Sequence, residues 1–150
     1  MIQYYQVIHI QSRFGGKTED LTPLISNIIN SIEKKPLAFS KGEQIWDFVY
    51  MDDIAEAMFL LAQKGESGEI YPIGSGEARP LKEYIHILCE KLEEDPKAFI
   101  GKIPYSDKQI MHLEADISKL YADTGWLPKV SFEEGIERVI EFEREKRSRK

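Results

Sequence analysis

Apolar positions along the chain change period several times, and each change predicts an element. In "YQVIHIQS" (5–12) β-branched residues sit side by side with no helical repeat, which predicts a short buried strand. A loop, "RFGGKTED", follows, and "LTPLISNIINSIEKK" then places Leu21, Leu24, Ile25, Ile28, Ile29 and Ile32 at helical spacing. Pro23 is tolerable in that helix's first turn, and Pro36 stops it. "PLAF", "SKGE" and "QIWDFVYM" predict strand, turn and strand, with Gly42 permitting the reversal. From Asp53 the period is helical again. "DIAEAMFLLAQKGESG" is apolar around much of its circumference, so it predicts a well-buried helix closed by Gly65 and Gly68. "EIYPIGSG" predicts a strand ending in a glycine turn, and "PLKEYIHILCEKL" an amphipathic helix begun by Pro80. "AFIGKIPY" predicts a strand, "DISKLYADTGW" a short helix closed by Gly125, and "SFEEGIERVIEFEREK" a final helix with a Ser131/Glu134 capping box. Strands alternating with helices, without repeat or linker, predict one α/β (or α+β) domain over 1–150.

Composition narrows the function classes. The chain has 150 residues, 42% hydrophobic and 31% charged, which suits a soluble globular protein with a sizeable core. A net charge of −6 argues against nucleic-acid binding, since a phosphate backbone is met by a basic face. The basic run "REKRSRK" (144–150) reads as a solvated tail at a helix C-terminus. One cysteine, Cys89, excludes an internal disulfide and fits a reducing compartment; it reads as a small core residue on its helix. No apolar run is long enough for a membrane span and no signal-peptide pattern appears, so a cytoplasmic location is expected.

Local motifs for chemistry are incomplete. "FGGKT" (14–18) lacks the glycine that a phosphate loop needs at position 11, where Gln11 stands. "GSGEAR" (74–79) has the strand-to-helix context of a dinucleotide fingerprint, but Arg79 occupies its third glycine position, so it reads as a turn positioning a helix. His9, His86 and His112 stand apart, without metal-ligand spacing, and no metal is expected. Asp53, three residues before Glu56, is expected to cap its helix; Asp52 is unassigned by that argument, and the pair reads as cap and turn in preference to acid/base or metal chemistry.

The order of the fragments carries more. "SRFGG", "GEQIWDFVYMDDIAEAMFLLAQKG", "GEIYPIGSGEARPLKEYI" and "IPYSDKQIMHLEADISKLYADTGWLPKVSFEEGI" together resemble the C-terminal half of extended short-chain dehydrogenase/reductases. This is the NAD-dependent epimerase/dehydratase family, with a branch similar to nucleoside-diphosphate-sugar epimerases and CDP-abequose synthase-like reductases. The resemblance implies late Rossmann-like strands plus the small substrate-binding subdomain. It implies NAD or NADP in the complete family and none for this chain alone, because the glycine-rich loop and the catalytic Tyr-x-x-x-Lys pair do not occur in it. No catalytic residue is therefore assigned. It further implies tentative substrate-binding positions at Ser12 and Phe14 in the strand-end motif, at Trp46 where many relatives carry a diphosphate-binding arginine, and at Lys108 near a second such arginine. His9 and Gly16 depart from the motif. Trp46 reads either as a base- or sugar-stacking surface or as a packed aromatic. The expected function is a partial sugar-nucleotide epimerase/dehydratase-like protein, inactive by itself. The alternative is a non-enzymatic self-associating or partner-binding module from that family, and a homo-oligomer or a partner covering an exposed sheet edge is expected.

Overall fold

A computed structural model describes residues 7–10, 12–14 and 23–149. It is mixed α/β, with short strands and five α-helices among the described residues. Strand β1 (Val7–Ile10) pairs in parallel with β5 (Ile70–Ile73), and β2 (Ser12–Phe14) pairs in parallel with β4 (Phe48–Tyr50). A third sheet has the order β6-β3-β7, with β3 (Ile45–Trp46) antiparallel to β6 (Arg79–Pro80) and parallel to β7 (His112–Leu113). Helix α1 spans Pro23–Ile32, α2 Met51–Lys64, α3 Leu81–Leu92, α4 Ser118–Thr124 and α5 Phe132–Ser148.

Two apolar cores form on either side of the segment 46–50. Leu24, Ile25 and Ile28 of α1, Tyr84, Ile85 and Leu88 of α3, and Ile136, Val139 and Ile140 of α5 build the larger one. Ile54, Ala57 and Leu61 of α2, with Tyr71, Ile73, Leu120 and Trp126, build the other. Alternation along the extended chain feeds both. Trp46, Phe48 and Tyr50 pack on the larger core, while Val49 belongs to the smaller and Asp47 lies among the turns beside it.

Several expectations are corrected. The stretch 44–51 is not one strand but two, in different sheets, because Asp47 turns inward between them. "PLAF" and "AFIGKIPY" are not strands: a 3₁₀ turn at Pro96–Ala98 and the left-handed Gly101 (φ 79°) break the second. The two segments are still tied, since Phe39 donates its N–H to Phe99 and accepts from Lys102 and Ile103. Residues 144–148 of the basic run belong to α5 and are not a tail, and Arg147 among them pairs with Glu33 and Glu143. Cys89 is fully buried, and burial first, then Glu94 and Asp95, push its thiol up to about 11.

Asp53 is corrected as a helix cap. Helix α2 starts two residues earlier, with Tyr50 at the N-cap and no side-chain capping bond. Asp53 lies in the first turn, where its charge suits the helix N-terminus, but its buried carboxylate is used elsewhere. Its two oxygens accept the backbone N–H groups of Lys129 (3.1 Å) and Val130 (3.0 Å), and its carbonyl accepts from Trp126 Nε1 at 3.1 Å. Asp52 is exposed. Ser131 stands at the N-cap of α5 and accepts from Glu134 N at 3.2 Å, while the Glu134 carboxylate turns to Arg138 in place of closing the box.

Candidate functional site

The site is built around β3. The odd-numbered residue that follows it, Asp47, is fully buried and receives four hydrogen bonds. Oδ1 accepts from Ser75 N (2.7 Å) and Ser75 Oγ (2.6 Å), and Oδ2 accepts from Gly76 N (3.1 Å) and Ala115 N (3.2 Å). All four donors are uncharged, and together they offset the cost of taking a carboxylate out of water. Gly74 is required by the same packing. A Cβ there would lie 2.5 Å from the Ala115 Cβ and 2.6 Å from Asp47 Oδ2, closer than real atoms approach.

On the other face of the strand, Trp46 is half-buried and lies directly opposite Arg79 in β6 and Leu113 in β7. Tyr84 clamps this region from below. Its hydroxyl lies 3.0 Å from the Trp46 carbonyl and 3.2 Å from that of Glu77, and burial pushes the phenol up to about 12. The Arg79 guanidinium stands over the Tyr84 ring at 5.6 Å and pairs with Glu133 at 3.1 Å. Glu133 lies below the usual carboxylate range, held first by a hydrogen bond to its own backbone N–H and then by Arg79.

Two cavities flank the turn 75–77. An open cleft of about 730 Å³ is walled by Leu113, Ile117, Tyr121 and Leu127, with Gly76, His112 and Glu114 also lining it. His112 Nε2 lies 3.0 Å from Glu114, and Asp116 is held below the usual range by the hydroxyl and N–H of Ser118. A more enclosed cavity of about 240 Å³ is lined by Ser75, Glu77, Arg79, Lys129 and the aromatic residues Phe48, Tyr84 and Phe132. The larger cleft is mostly apolar and the smaller cavity joins aromatic faces to charged groups; concave surfaces of this kind can take small molecules.

The residues expected to bind substrate are not gathered into one site: Trp46 packs on the larger core, and neither it nor Lys108 lines either cavity. Ser12 and Phe14 lie on β2 at register positions beside Phe48 and Tyr50 of β4, in a different sheet from Trp46. Lys108 lies exposed in the turn 107–108, which leads toward β7, itself the neighbour of Trp46. Asp47 and Tyr84 were not singled out by sequence reasoning. A lone carboxylate inside an otherwise apolar strand was the available signal for the first.

The glycine turn does not fit a dinucleotide. The N–H groups of Ser75 and Gly76, which would have to face a pyrophosphate, are already given to Asp47. Among the described residues no cluster of His, Cys, Asp or Glu suits a metal, and no helix is long and apolar enough to cross a membrane.

Residues 7–74 match the sequence pattern of the NAD dependent epimerase/dehydratase family. The chain is 32% identical over 134 residues to the dTDP-glucose 4,6-dehydratase of Salmonella typhimurium, covering 83% of this chain and 36% of that one. An Escherichia coli dTDP-glucose 4,6-dehydratase is 34% identical over 135 residues, with 83% and 37% covered. Among solved structures, the Streptomyces venezuelae dTDP-glucose 4,6-dehydratase superposes with a TM-score of 0.83 at 26% identity, over 95% of this chain and 44% of that one. The UDP-glucose 4-epimerase of Thermotoga maritima, solved with UDP-glucose, gives a TM-score of 0.85 at 22% identity, over 98% and 47%. This chain therefore spans little more than a third of the curated relatives it matches and under half of these solved chains.

Proposed function

We infer that this chain, related through residues 7–74 to the NAD dependent epimerase/dehydratase family, supplies the part of such a protein that binds a nucleoside-diphosphate sugar. The observation that carries this reading is the pair of cavities on either side of the turn 75–77, beside the strand that holds Trp46. Sequence likeness to the dTDP-glucose 4,6-dehydratases supports it. In this reading Leu113 gives apolar surface to base or sugar from the larger cleft, with Trp46 beside it in β3, Ser12 and Phe14 lie in the neighbouring β2-β4 pair, and Lys108 meets the diphosphate as a point charge.

The chain's own residues bind and orient; they do not carry the hydride step. Neither a Tyr-x-x-x-Lys pair nor a complete glycine fingerprint occurs in the 150 residues, and the one glycine turn of the right context is occupied by Asp47. The nicotinamide cofactor of the family would supply oxidation and return of hydride. Calorimetric titration with UDP-, dTDP-, CDP- and GDP-sugars tests the reading. Saturable heat with at least one is expected; silence with all four would end it, and turnover on adding NAD or NADP would overturn the non-catalytic half.

A second reading is favoured by exposed apolar side chains. Phe59 of α2 is 65% exposed and Ile70 of β5 is 59% exposed, and β1 has β5 as its single strand neighbour among the described residues. Such surfaces are commonly covered by a second copy or a partner. Light scattering at micromolar concentration is expected to show a species heavier than 17.4 kDa, and a strict monomer would count against it.

A further inference from the structure

We propose that Asp47 is the positioning residue of the nucleotide-sugar site, fixing the wall that the two cavities share; this rests on the binding function inferred above. Gly76 lines the larger cavity and Ser75 and Glu77 line the smaller, so the turn 75–77 separates them. Ala115, which also lines the larger cavity and lies against the turn, is the fourth donor to the same carboxylate. One side chain therefore sets the distance between turn and strand.

The geometry makes this hold stiff. A carboxylate with no solvent exposure and only neutral donors needs all of them, because each lost bond leaves charge without water to replace it. The donors are split by oxygen, two from Ser75 on Oδ1 and one each from Gly76 and Ala115 on Oδ2. An asparagine can satisfy one set alone. Its amide nitrogen must then face N–H groups on the other, so Asp47→Asn releases either Ser75 or the Gly76–Ala115 pair without changing side-chain size.

The 150-residue chain, Asp47→Asn, Ser75→Ala and Ser75→Thr are to be titrated with UDP-glucose and dTDP-glucose, with Ile136→Val as a variant weakened in the larger core without touching the Asp47 bonds. Affinity is expected to fall about tenfold or more in Asp47→Asn, since bonds to charged groups are the stronger class, and less in Ser75→Ala. Ser75→Thr, which keeps the hydroxyl, should restore binding. Ile136→Val should lose stability without this loss of affinity. Wild-type affinity in both Asp47→Asn and Ser75→Ala overturns the proposal, as does equal weakening in Ile136→Val. If Asp47→Asn does not fold, the Ser75→Ala and Ser75→Thr pair decides. If the unsubstituted chain binds none of the UDP-, dTDP-, CDP- and GDP-sugars, the binding function fails by itself. Amide resonances then judge the hold: unmoved Ser75, Gly76 and Ala115 signals in Asp47→Asn or, where that variant does not fold, an unmoved Ser75 signal in Ser75→Ala would sink it.

Discussion

Asp53 and Val130 are 77 residues apart in sequence, yet the buried Asp53 carboxylate accepts the Val130 N–H at 3.0 Å. The bond joins the first turn of α2 to the entry of α5, and the neighbouring Lys129 N–H reinforces it. Asp53→Ala leaves both N–H groups without this acceptor. A loss of about 2–4 kcal/mol is expected from two bonds to a charged group, measured by urea unfolding. Asp53→Asn, which keeps one acceptor, should lose less.

Gly74 and Gly68 should respond to alanine for different reasons. Gly68→Ala meets open space, but its φ of 84° strains any side chain, so about 1 kcal/mol is expected. Gly74→Ala drives a methyl group into Asp47 and Ala115. About 2–3 kcal/mol or more is expected there, as for other overpacked cores. Thermal unfolding of the two variants side by side checks the order.

Alkaline pH should destabilise the protein through protons it holds too tightly, among them those of Tyr84 and Cys89. Burial raises Tyr84 from 10.0 to about 12 and Cys89 from 9.0 to about 11. In this window the unfolded chain has released protons that the folded chain retains, so the unfolded state binds fewer and stability falls as pH rises. The contribution is complete below pH 9 and is lost progressively to about 12. Urea midpoints between pH 8 and 11 should decline, and Tyr84→Phe should flatten the upper part of that slope.

Arg147 should behave as a structural residue and not as part of a loose tail. Its guanidinium joins Glu33 and the nearly buried Glu143, linking α5 to the end of α1. Arg147→Ala leaves Glu143 without this partner, and about 1–2 kcal/mol is expected from urea unfolding. Arg149→Ala, on a pair more than two-thirds exposed on both sides, should be close to neutral.

The long periodic segments were readable because helical spacing reports a buried face directly. Leu81, Tyr84, Ile85, Leu88 and Leu92 predict the α3 face that the larger core uses, and Gly125 closes α4 in the left-handed conformation expected of it. The strands were less readable. β6 and β7 are two residues each, too short for any period, and they form only because β3 lies between them. "AFIGKIPY" has strand composition but carries Gly101 at positive φ, which breaks it. The site shared this difficulty. Trp46 stood out by residue type, whereas Asp47 acquires its role from Ser75, Gly76 and Ala115, up to 68 residues away. Asp53 lies inside the first turn of α2 and not at its cap, and its acceptor role depends on a contact no local pattern contains.

The burial of Cys89 has a practical use. It is the chain's single cysteine, fully enclosed and holding its proton to about pH 11, so thiol reagents at neutral pH should find almost no thiolate to attack. A cysteine introduced at the exposed Glu77 or Lys108 would then be labelled alone in an otherwise unaltered background. At Glu77, which lines the smaller cavity, a fluorophore would report what enters it without first removing a native residue.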